Sequence, residues 1–114
     1  MITVLKCIGT GKHPEHNYLN GHMQDGKVDL VASINPPYTG TRWLVEPLGK
    51  GTVALRCLGD IENPTHKYLN GNTQEGTVDL VPNTDSYTGT HWEVIGLSDG
   101  SYAFKCLGHN QNPG

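Results

Sequence analysis

The chain carries one pattern twice, and that repeat limits its folds more than any other feature. The series Lys-Cys-Ile-Gly, Tyr-Leu-Asn-Gly, Val-Asp-Leu-Val and Tyr-Thr-Gly-Thr-Arg-Trp returns in the same order as Arg-Cys-Leu-Gly, Tyr-Leu-Asn-Gly, Val-Asp-Leu-Val and Tyr-Thr-Gly-Thr-His-Trp. Cys7 and Cys57 lie 50 residues apart, whereas Trp43 and Trp92 lie 49 apart, because the loop holding Asn35, Pro36 and Pro37 is one residue shorter in its second copy. The Cys-x-Gly segment occurs a third time, at Cys106 and Gly108, without a third Tyr-Leu-Asn-Gly after it. A repeat of this length is one supersecondary unit that cannot bury its apolar face alone. We therefore expect one domain over 1–114, with repeats at about 3–51 and about 52–100 and an extra strand at 101–108.

Local patterning makes the unit all-β. In the second copy, strands are expected at 68–70, 76–81, 90–95 and 102–107, where apolar and polar residues alternate. Turn compositions separate them: Gln74-Glu75-Gly76, Asn83-Thr84-Asp85-Ser86 and the hairpin signal Asp99-Gly100, whose counterpart is Gly49-Lys50-Gly51. No window has helical periodicity. Leu30, Leu80, Val28, Val78, Trp43 and Trp92 are expected in the core. Asn20 and Asn70, each before a glycine, are expected in turns as residues that tolerate a left-handed backbone.

Four strands per unit with a tryptophan on the third resembles the repeat of β-trefoil proteins, both the fascin-like kind and the ricin-B-like lectins. In the ricin-type repeat the third strand carries Gln-x-Trp, and Thr41-Arg42-Trp43 and Thr90-His91-Trp92 stand in the matching place without the glutamine. The resemblance implies a β-trefoil-like fold of tandem four-stranded repeats. A trefoil needs three units, so completion by self-association, as a trimer or a multiple of three, is expected with it. A two-blade propeller segment and an internally twofold barrel remain alternatives.

Composition narrows the function. Net charge is −3 with pI about 6.0, and no basic stripe exists to neutralise phosphates, which argues against a nucleic-acid partner. No apolar run approaches the roughly 20 residues of a membrane-spanning helix. The start Met-Ile-Thr-Val-Leu-Lys lacks the long apolar segment of a secretory signal. With three equivalent cysteines, an odd number that fits no disulfide framework, a cytoplasmic location is favoured and Cys7, Cys57 and Cys106 are expected as buried thiols.

No triad, phosphate loop or paired carboxylates repeat as chemistry would require, so the expectation is a non-catalytic protein without a cofactor. His13, Glu15, His16 and His22 cluster in sequence, but the second copy offers His66 with Asn63 in place of the other histidine, so no metal is expected. A repeated tyrosine on a polar loop, Tyr38 and Tyr87, can present an apolar face to a sugar ring whose rim forms hydrogen bonds. Asp29 and Asp79, of a type depleted in strands, can accept from hydroxyls or serve the fold. Asn20, Asn70 and His22 add polar contacts beside them. The resulting expectation is a glycan-binding, lectin-like protein with repeated shallow sites, multiplied by assembly. A protein-interaction or inhibitor scaffold is one alternative. Because the sequence closes at Asn112-Pro113-Gly114, where another Tyr-Leu-Asn-Gly falls due, an engineered or trimmed array without its own function is another.

Overall fold

Alternating residues between glycine-rich turns produce antiparallel strands throughout. The computed structural model describes residues 2–8, 17–34, 40–59 and 66–108. Within them run β1 (Ile2–Thr3), β2 (Tyr18–His22), β3 (Lys27–Val31), β4 (Trp43–Gly49), β5 (Thr52–Cys57), β6 (Tyr68–Asn72), β7 (Thr77–Val81), β8 (Trp92–Gly96) and β9 (Tyr102–Cys106). The one helical segment among the described residues is a 3-10 turn, Thr88–Thr90. The protein is all-β, as the periodicity predicts.

Each packed unit is a hairpin followed by a second hairpin that carries the tryptophan and the cysteine. In unit 1, β2 pairs with β3 and β4 with β5; in unit 2, β6 pairs with β7 and β8 with β9. The β4–β5 turn places Gly49, Lys50 and Gly51 at φ of 93°, 57° and 79°, a left-handed run that only glycine at the flanks makes cheap. Trp43 lies opposite Cys57 and Trp92 opposite Cys106.

The units are joined by strand pairing. On unit 2, β5 supplies Thr52 opposite Glu93, Val53 opposite Trp92 and Arg56 opposite Tyr68, and Cys57 N–H donates to Lys67 O at 2.7 Å. Residues 2–8 make the same set on unit 1: Ile2 opposite Leu44, Thr3 opposite Trp43, Lys6 opposite Tyr18, and Cys7 N–H to Asn17 O at 2.7 Å. They stand in for the cysteine strand of a preceding unit.

The buried core comprises Met23, Trp43, Leu55, Cys57, Leu69, Leu80 and Trp92, with Val28, Val45, Val53 and Phe104 packed at its margin. Each indole is satisfied from the first hairpin of its own unit: Trp43 Nε1–H donates to Leu19 O and Trp92 Nε1–H to Leu69 O, both at 3.1 Å. A buried ring of this size with its one donor paired is a principal source of each unit's stability.

Three expectations are corrected. Leu30 and Val78 are exposed rather than core, at 42% and 43%, while Leu80 is 2% exposed. Cys7 is exposed, Cys106 half-buried and only Cys57 buried. Asn20 and Asn70 sit within β2 and β6 rather than in turns, and Lys50 alone among the described non-glycine residues has positive φ. The first two corrections share a cause: equivalent residues have different neighbours at the two ends of the molecule.

Candidate functional site

The polar residues singled out by the repeat meet on the first hairpin of each unit. Register places Asn20 directly opposite Asp29, and Asn70 directly opposite Asp79. Asn20 Nδ2–H donates to Asp29 Oδ1 at 3.1 Å, and Asn70 Nδ2–H to Asp79 Oδ1 at 3.0 Å. This cross-strand pair explains why a strand-averse aspartate recurs: it accepts from the asparagine facing it. Both aspartates are exposed, so each keeps acceptor capacity toward solvent.

The two copies then diverge. His22 Nε2 lies 3.0 Å from Asp29 Oδ2 and 3.3 Å from Asn20 Nδ2, which builds a three-residue cluster on the exposed end of the hairpin. At the equivalent position Asn72 turns inward to its own turn instead. Its Oδ1 accepts from the amides of Gln74 and Glu75, and its Nδ2–H donates to Glu75 Oε1. Asp79 therefore lacks the histidine neighbour that Asp29 has.

The tyrosine loop is drawn to the same place by its glycine. A side chain on Gly40 would overlap the Gly21 carbonyl and Asn20 Oδ1; one on Gly89 would overlap the Gly71 carbonyl and Asn70 Oδ1. Gly21 N–H donates to Gly40 O at 2.9 Å, tying strap to hairpin. Only a residue without Cβ permits this approach. In unit 2 the strap is locked further by Thr90, whose N–H and Oγ1–H both donate to Tyr87 O. The Tyr87 side chain is left partly exposed, two residues from the glycine that abuts Asn70. Tyr38 lies outside the described residues, as do His13, Glu15 and His16.

Beneath each strap sits a thiol that sequence reading treated as plain filler. Cys57 Sγ is 3.5 Å from Gly40 O and 3.9 Å from Gly21 O, and Cys106 Sγ is 3.4 Å from Gly89 O and 3.6 Å from Gly71 O. The thiol thus bridges strap and hairpin from below. Burial pushes the Cys57 thiol above its ordinary pKa, against opposing contacts with the backbone of Gly59 and Gly21. Such a thiol is a weak donor rather than a nucleophile. Met23 was also missed: it is buried against Gly59 where unit 2 has Thr73, and nothing in the alternation around it marks a turn residue as core.

Asn20 Oδ1 is buried and has no hydrogen-bond partner among the described residues. No group of three metal-ligating side chains occurs among the described residues, and no helix there is long and apolar enough to cross a membrane. Neither a protein-family model nor a curated protein matches the chain.

Proposed function

We propose that the chain is a non-catalytic carbohydrate-binding protein of the β-trefoil kind, with one shallow site on the first hairpin of each unit. The observation that carries this reading is the repeated Asn–Asp pair, Asn20–Asp29 and Asn70–Asp79, whose aspartates are exposed beside a glycine strap that in unit 2 carries the partly exposed Tyr87. A carboxylate already fixed by an amide is a preorganised acceptor for vicinal hydroxyls, and a tyrosine face suits the apolar side of a pyranose. The trefoil architecture is supported over propeller blades by the pairing of β5 with β8, which carries strands from one unit into the sheet of the next. Association in threes would complete such units and multiply weak sites into useful avidity.

A glycan array with the intact protein is the test. Asp79→Ala is expected to weaken binding by about 1.5–3 kcal/mol per site, the range for hydrogen bonds to a charged acceptor. Tyr87→Ala and Tyr38→Ala should each weaken it too. Absence of glycan binding, together with specific capture of a protein partner, would overturn the sugar reading in favour of a protein-interaction surface.

A further inference from the structure

The contact between the two units has two sides, and each recurs, unmatched, at an opposite end of the molecule. On the unit 1 side, Gly26 O accepts from Leu80 N–H at 2.8 Å, the His66 ring packs over Gly26, and Val28 lies against the core. On the unit 2 side, Leu80 is buried by that contact. The counterpart of Gly26 and Val28 in unit 2 is Gly76 and Val78. A Cβ at Gly76 would meet nothing within 4 Å, and Val78 is 43% exposed. The counterpart of Leu80 in unit 1 is Leu30, 42% exposed, whose amide receives no such carbonyl from a neighbouring unit among the described residues.

The strand edges are divided in the same way. Where β5 gives Val53 to Trp92, β9 offers Tyr102 at the equivalent position, and it is 67% exposed. Beside it Val94, Ile95 and Leu97 are exposed too, although Val45, the counterpart of Val94, packs against the core. At the other end, residues 2–8 already occupy the edge of unit 1, where β1 pairs two residues with β4 as β5 does with β8. They bring no hairpin to cover Leu30.

We propose that a second copy of this chain completes the contact head to tail: the Gly76–Val78 face and β9 of one copy dock on the Leu30 face of the next. There β9 takes the place that residues 2–8 hold on β4. The occupant is specified by the molecule itself, because the contact between units 1 and 2 displays both halves of the surface already joined. The interface is heterologous, so one copy uses two different patches. This deepens the reading of association given above and is independent of the glycan reading.

Light scattering on the 114-residue chain over a range of concentrations tests it. The mass is expected to rise above 12.4 kDa with concentration. Val78→Asp and Leu30→Asp should each return a monomer, since each blocks one patch. Mixed in equal amounts, the two variants should form a dimer and nothing larger, because each supplies the patch that the other lacks. If either aspartate variant loses the β-type far-UV spectrum, Val78→Thr and Leu30→Thr keep strand-forming side chains and should still weaken association at least several-fold. Association that ignores all four substitutions would overturn this interface while leaving the wider reading of assembly intact. A mass fixed at 12.4 kDa at every concentration would overturn both.

Discussion

The three thiols share one place in the repeat and differ in what lies above them. Cys57 is enclosed by the Gly21–Gly40 strap and Cys106 partly by the Gly71–Gly89 strap, whereas Cys7 is exposed, with no such strap over it among the described residues. Labelling by a thiol reagent should therefore be fast at Cys7, slower at Cys106, and limited by unfolding at Cys57. Burial also makes Cys57 a source of pH dependence. The folded chain keeps its thiol proton at pH values where the unfolded chain has released it. That stabilisation is complete below the unfolded thiol's pKa of about 8.5 and is lost as pH rises from there toward the raised folded value. Denaturant midpoints of the native chain should fall across this alkaline window more steeply than those of Cys57→Ala. Equal slopes for the two would show that the thiol does not titrate as a buried group.

At the scale of elements, the glycine straps decide how closely the tyrosine loop approaches its hairpin. Gly89→Ala drives a methyl group into the Gly71 carbonyl, which is backbone and cannot swing aside. A loss of about 1–3 kcal/mol is expected from overpacking of this kind. Gly96→Ala is the control, because its new methyl would meet only the Tyr102 ring at 3.8 Å, an ordinary contact. Thermal or denaturant melts of the two should separate cleanly, and similar losses would show that the strap is free to move. The turns at Gly76, Gly49-Lys50-Gly51 and Asp99-Gly100 were legible in the sequence, since their chemistry is local. The Asn–Asp pairing was half legible. The asparagine beside a glycine reads as a turn, and only the hairpin register, with Asn70 opposite Asp79, shows that it belongs to a strand. Register depends on the turn at the far end, which no property of Asn-Gly itself encodes.

Across the whole molecule, repetition in sequence does not give repetition in environment. Leu30 and Leu80 come from identical Val-Asp-Leu-Val segments, and no sequence pattern could assign one to solvent and the other to the core. What separates them is position: Leu80 N–H donates to Gly26 O of unit 1, and among the described residues nothing makes the same contact with Leu30. Their alanine variants should therefore differ sharply. At low micromolar concentration Leu80→Ala should cost about 2–5 kcal/mol as a cavity opens beneath the hairpin. Leu30→Ala should cost no more than about 0.5 kcal/mol, the usual scale for a surface change. If head-to-tail docking buries Leu30, the second cost must grow with protein concentration, because binding that favours the folded state adds to stability by mass action. The first cost should stay nearly fixed, since Leu80 is already covered within one chain. Unfolding curves of both variants at two concentrations thus read out one buried and one latent copy of the same contact.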